Sequence, residues 1–234
     1  MAIHKSYQLG HSLSRVHNWG KIKYPSVSRF FYNLFWIPLK AVFGYFLQIE
    51  VESKENLSNI EGPVIIASSH GSWTDSFIIG ICFPFNAKIS PIRYAVLWKY
   101  YYFPPFTLLL WLFGSFPVRK GVGLDNALRV PLKIIKDKGC VGIFPTGKRA
   151  KKWNQDQSPK PRRGAAYLAL KTNARVLPIK LEGNVGMSFL GFLNKKYKVK
   201  VKIGRAMYLP FNNYKNETQL TQAADFVMDR IMKL

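Results

Sequence analysis

The stretch Val64-Ile65-Ile66-Ala67-Ser68-Ser69-His70-Gly71-Ser72-Trp73-Thr74-Asp75-Ser76-Phe77-Ile78-Ile79-Gly80-Ile81-Cys82 decides how this chain folds. Val64 to Ser68 is a short apolar run of the kind carried by a strand buried on both faces. Gly71-Ser72 supplies a turn, and Asp75 to Cys82 reads as a short helix with a carboxylate in its first turn. Between them stands His70, the only histidine after residue 17. Histidine titrates near neutral pH, and a nearby carboxylate fixes its tautomer and stabilises the imidazolium. On one straight helix the two side chains would point about 140° apart. They meet only if His70 ends a strand and Asp75 opens the helix after the turn. That reading makes His70 a general base oriented by Asp75. The alternative is a loop histidine beside a carboxylate that merely favours a helix N-terminus.

Working outward, strands and helices alternate. Ile89 to Val96 is a second strand candidate, which Pro91 confines to an edge or a bend. Leu124 to Lys138 is amphipathic and closes at Gly139, with Pro131 as a kink or as its true start. Cys140 to Pro145 reads as a buried strand and Gly164 to Thr172 as a helix of strong formers. Arg175 to Glu182 and Tyr197 to Ile203 are alternating β-branched strands, and a helix over Glu217 to Lys233 follows. Upstream, Ser26 to Leu47 has helical spacing with a break or kink at Pro38. The pattern predicts an α/β fold, a mixed sheet flanked by helices, preceded by an N-terminal membrane-associating helical segment. Two units are expected: residues 1–59 as a basic arm with an aromatic interface segment, and residues 60–234 as the α/β domain.

Charge narrows the partners. Lys and Arg number 35 against 12 Asp and Glu, a net +23, which points to a polyanion: nucleic acid, an anionic membrane or a phosphorylated substrate. Phe30 to Ile49 and Phe103 to Val118 are rich in aromatic residues, more apolar surface than nucleic-acid binding needs. No recognition helix or aromatic-and-basic strand signature is present, so nucleic acid is not the expected partner. Neither aromatic stretch is a clean membrane span. Asn33, Pro38, Lys40 and Gln48 interrupt the first; the second is shorter than the ~20 residues required and contains Pro104-Pro105 and Gly114. Both suit helices lying in a bilayer interface, or a pair of buried core helices.

Residues 1–49 lack acidic side chains and carry no signal-peptide pattern. They read as a polybasic arm on an anionic leaflet, where each Lys or Arg contributes about 1 kcal/mol. Cys82 and Cys140 sit in apolar contexts as reduced core residues, and no metal-ligand spacing surrounds them. The expected location is the cytoplasmic face of the inner membrane.

Cations recur at strand ends. Gly114-Ser115-Phe116-Pro117-Val118-Arg119-Lys120-Gly121 places two after an apolar run, and Gly142-Ile143-Phe144-Pro145-Thr146-Gly147-Lys148-Arg149 places two more. Arg162-Arg163 then opens a helix, and Val176-Leu177-Pro178-Ile179 forms a proline-centred strand. Arginine forks suit phosphate. Any one such cation is otherwise an ordinary solvated charge, and the run from Lys148 to Arg163 reads equally as a basic loop.

In this order, over roughly residues 60–205, the chain resembles the glycerolipid acyltransferases, the family that includes 1-acylglycerol-3-phosphate acyltransferases. His70 to Asp75 matches the family's HX4D block, and Gly114 to Lys120 its second block, in which Arg119 or Lys120 would be the phosphate-binding cation. Phe144 to Arg149 resembles the FPEGTR block, and Val176 to Ile179 the fourth. The sequence departs at Thr146, where the family usually has glutamate, and at Lys148, where it has threonine.

The resemblance implies a membrane-associated O-acyltransferase. His70 would deprotonate a lysolipid hydroxyl that attacks an acyl thioester, carried by coenzyme A or acyl-carrier protein, while Asp75 orients the imidazole. Arg119, Lys120, Thr146, Gly147 and Arg149 would contact the acceptor. Neither a metal nor a resident cofactor is expected, the thioester being a co-substrate. The competing reading is a basic membrane- or nucleic-acid-binding protein without catalysis, in which the altered third block marks a decayed enzyme.

Overall fold

The computed structural model describes residues 28–58, 60–104, 106–119, 121–149 and 160–234. Strands β1 (Gln48–Glu52), β2 (Val64–Ser68), β3 (Ile92–Leu97), β4 (Phe116–Val118), β5 (Cys140–Ile143), β6 (Arg175–Glu182) and β7 (Lys198–Ile203) form one sheet in the order β1-β7-β6-β2-β5-β3-β4. Every neighbouring pair is parallel except β6 and β7, so the sheet is mixed, as expected. The helices are α1 (Ser28–Phe46), α2 (Asp75–Cys82), α3 (Trp98–Tyr101), α4 (Phe106–Leu112), α5 (Leu124–Ala127), α6 (Arg129–Lys136), α7 (Gly164–Thr172), α8 (Phe189–Leu193) and α9 (Glu217–Met232).

β2 lies inside the sheet between β5 and β6, and all five of its residues are buried. Successive side chains of a strand point to opposite faces, and β2 feeds two cores. Val64 and Ile66 join a cluster with Phe43 of α1 and Ile78 and Ile79 of α2; Ile65 and Ala67 join one with Ile134 of α6, Leu168 of α7 and Val227 of α9.

β1 escaped the sequence reading and moves the expected boundary at residue 59. It pairs with β7 in the same sheet, so the α/β unit begins upstream of residue 60. Its QIEVE pattern is complementary to the KVKVKI of β7. Valines and isoleucines turn inward while Lys200 Nζ reaches Glu52 Oε1 at 2.8 Å and Glu50 Oε1 at 3.6 Å.

The helix expected over Leu124–Lys138 is two helices that meet at Leu128. Pro131 falls in the first turn of α6, where no intrahelical N–H is missed. The left-handed residue after α6 is Lys138 (φ 58°), not Gly139. β3 starts at Ile92, immediately past Pro91, three residues later than expected.

α1 packs against α2 and is latched by Arg29, which donates to the carbonyls of Ala87 (3.1 Å), Lys88 (3.0 Å) and Ser90 (3.2 Å). Tyr32 Oη donates to Gly80 O at 3.0 Å. Its outer face stays apolar and exposed through Phe30, Leu34 and Ile37, as does that of α4 through Leu108 and Leu109. The buried-core alternative therefore fails for these faces. No helix among the described residues is long and apolar enough to cross a membrane. The basic arm over residues 1–27, and Lys151 and Lys152 of the basic run, lie outside the described residues.

Candidate active site

Strands β2, β3, β4, β5 and β6 run parallel, so their C-terminal ends share one edge, the edge at which open α/β sheets gather reacting groups. His70 follows β2, Phe144 to Arg149 follow β5, Arg119 follows β4, and Gly183-Asn184 follow β6.

The turn after β2 closes as its sequence requires. His70 Nδ1 lies 2.8 Å from Asp75 Oδ2, and the same oxygen accepts from the backbone N–H of Gly71 (2.8 Å) and Ser72 (3.0 Å). The second oxygen, Oδ1, accepts from Asn184 Nδ2 at 2.6 Å. Asp75 is wholly buried, while the His70 side chain keeps 20% exposure. A buried carboxylate is tolerated only when its lone pairs are used, and here N–H groups meet both oxygens.

The imidazole is also held by its face. It stacks on the Phe144 ring with centroids 3.9 Å apart and planes 14° apart, and Phe144 stacks in turn on Tyr94 at 5.7 Å. With Nδ1 committed to Asp75, Nε2 is the ring nitrogen left to accept a proton. Among the described residues no hydroxyl or thiol side chain bonds to it. The arrangement can therefore activate a nucleophile brought by a substrate.

Thr146 is buried, and its hydroxyl donates to Lys148 O at 2.7 Å, bracing the turn rather than facing solvent. Gly147 takes φ 62°, a conformation glycine adopts without strain, and its N–H donates to Phe144 O at 2.9 Å. Arg162 crosses this turn, with Cδ 2.9 Å from where a Cβ on Gly147 would sit. Lys148 and Arg149 are exposed and make no salt bridge among the described residues.

Arg119 places its guanidinium over the Trp98 ring, 5.5 Å from the centroid. β4 is three strands from β2, about 14 Å at ~4.8 Å per strand. The structure thus joins His70, Asp75 and the Phe144 turn, and leaves Arg119 across an open interval. Lys120 lies outside the described residues. A separate cavity of about 750 Å³, lined by Trp36, Lys40, Leu57 and Cys82, opens at the far end of α2 from this site.

Sequence reasoning missed Asn184 and the ring contact of Phe144. The only local signal for Asn184 is Gly183-Asn184 after a strand, which by itself specifies a turn.

A buried acid-histidine pair at the shared C-terminal edge of β2, β5 and β6, with no hydroxyl or thiol side chain bonded to the imidazole among the described residues, is an arrangement able to take a proton from a bound substrate. The Acyltransferase family model matches residues 48–182, more than half of the chain, and the protein belongs to that family. It is 27% identical over 199 residues to a 1-acyl-sn-glycerol-3-phosphate acyltransferase of Bacillus subtilis (strain 168), covering 84% of this chain and 92% of the relative. The crystal structure of the 1-acyl-sn-glycerophosphate (LPA) acyltransferase PlsC from Thermotoga maritima superposes with a TM-score of 0.65, over 95% of this chain and 88% of that one. Identity there is 17%, so that likeness speaks for the fold.

Proposed function

We propose that this acyltransferase moves a fatty acyl group from an acyl thioester, coenzyme A- or carrier-protein-linked, to the free hydroxyl of a lysophospholipid of the 1-acylglycerol-3-phosphate type. The observation that carries the reading is the 2.8 Å contact between His70 Nδ1 and a fully buried Asp75, with the His70 side chain still 20% exposed. The Bacillus relative's activity supports the acceptor class.

His70 Nε2 takes the proton of the acceptor hydroxyl as its oxygen attacks the thioester carbonyl carbon. A carbon–oxygen bond forms, the carbon–sulfur bond breaks, and the departing thiolate receives the proton back from the imidazolium. Asp75 holds the tautomer and offsets the imidazolium charge. Arg119 or Lys120, together with Arg149, holds the phosphate, while Thr146 and Gly147 shape the turn that presents Lys148 and Arg149.

The exposed apolar faces of α1, α4 and α8, with the +23 charge, support docking on an anionic membrane surface. The proposed side is the cytoplasmic face of the inner membrane, where thiols such as Cys82 and Cys140 stay reduced. The thioester is a co-substrate, and no resident cofactor takes part.

The test is acyl transfer by purified protein on anionic vesicles, with both donor types and lysophosphatidate. His70→Ala is expected to lower the rate roughly 10²- to 10⁴-fold. Retention of more than about a hundredth of the wild-type rate removes His70 from the base role.

A further inference from the structure

We infer that Asn184 is a positioning residue for proton transfer, the group that stops the Asp75 carboxylate from turning away from His70. The inference rests on the general-base reading of His70.

Asp75 accepts three N–H groups on Oδ2, from His70, Gly71 and Ser72, and one on Oδ1, from Asn184. A carboxylate on a single-bonded stem can rotate and exchange its two oxygens. Among the described residues, only the Asn184 amide opposes that rotation from the Oδ1 side. Without it, Oδ1 is a buried acceptor lacking a partner, and regaining one by rotation takes Oδ2 away from the imidazole.

Among the described residues the bond to Asp75 is the one hydrogen bond of this side-chain amide. Asn184 is fully buried, and its Oδ1 meets no hydrogen-bond donor among the described residues. That oxygen lies against Gly71, 3.1 Å from where a Cβ would project. The amide's NH2 end must face the carboxylate, since its oxygen there would repel Asp75.

The backbone delivers this side chain from the C-terminal end of β6. Gly183 adopts φ 80°, and a Cβ there would overlap the Lys198 carbonyl oxygen of β7. The chain beyond it folds under the His70 turn, where Gly186 N–H donates to Gly71 O at 3.3 Å. Among the described residues, the titratable groups that interact with Asp75 are His70 and Tyr94 of β3, whose hydroxyl burial holds protonated well above its ordinary range.

Two variants test the inference. Asn184→Asp is isosteric but sets two carboxyls at the present 2.6 Å spacing, so that they share a proton and Asp75 no longer offers His70 a full charge. Asn184→Ala frees the carboxylate to turn. Each is expected to lower kcat roughly 10- to 100-fold, with KM for thioester and lysolipid within about twofold of wild type. The kcat–pH profile of Asn184→Asp should gain an ionisation that Asn184→Ala lacks. In ¹⁵N-labelled protein the His70 Nδ1–H resonance should be sharp in wild type and broadened or lost in Asn184→Ala.

Wild-type kcat, or a fall that follows only a lower melting temperature with the His70 resonance and pH profile unchanged, overturns the inference. His70→Ala assayed alongside separates the two readings. If it stays active, the base assignment fails whatever Asn184 does. If it is inactive while both Asn184 variants behave as wild type, only the role of Asn184 fails.

Discussion

Gly183 shows how one backbone position supports a site it never touches. Its φ of 80° belongs to the left-handed side that side chains rarely adopt, and the Lys198 carbonyl occupies the space a Cβ would need. Gly183→Ala must strain the backbone, at about 1–3 kcal/mol, and also push β6 from β7. We expect its urea midpoint to fall and activity to drop with it, because Asn184 moves with the turn. A wild-type midpoint with full activity in equilibrium unfolding and transfer assays would show that the turn tolerates a side chain. At this scale His70 and Asp75 were legible, since their spacing allows contact only across a strand-turn-helix. Asn184 was not, because it meets Asp75 across 109 positions of chain.

Among the elements, α8 presents a strongly exposed apolar face. Phe189 is 62% and Leu190 72% exposed, and Phe192 on its other side is buried against Phe43 and Phe46 of α1. Lys195, just past the helix, lies 3.4 Å from the Tyr45 ring centroid, tying α8 to α1. Burying a leucine is worth about 1.5–3 kcal/mol, so a bilayer that receives Leu190 gains that much. Leu190→Asp should therefore weaken sedimentation with anionic vesicles roughly tenfold or more, at an unchanged melting temperature. Unaltered vesicle binding would exclude α8 from the contact. The sequence offered no hint of α8, a helix too short for periodicity to register. α2, α7 and β6, by contrast, have the bounds that their patterns predicted.

Across the whole molecule, the core on the α1 and α2 side of the sheet sets an alkaline limit. Burial pushes the thiols of Cys82 and Cys140 up from 9.0 to about 12, and it raises Tyr94 in the same direction. Below pH 9 the thiols are protonated in folded and unfolded chains alike, and their contribution to stability is complete. As pH rises from about 9 to 12 the unfolded chain releases these protons first, so stability falls. The urea midpoint should decline over that range, less steeply in a Cys82→Ala/Cys140→Ala double variant; equal slopes would place the linkage elsewhere. The sequence by itself determined the α/β class, the positions of most strands along the chain and the His70–Asp75 pair, because apolar period, turn residues and short spacings are local properties. Only the tertiary structure decided that β1 joins the sheet, that Phe144 stacks on His70, and that Asn184 holds Asp75. Those contacts depend on which strands lie side by side, and pairing is settled by packing of the complete sheet rather than by any one segment.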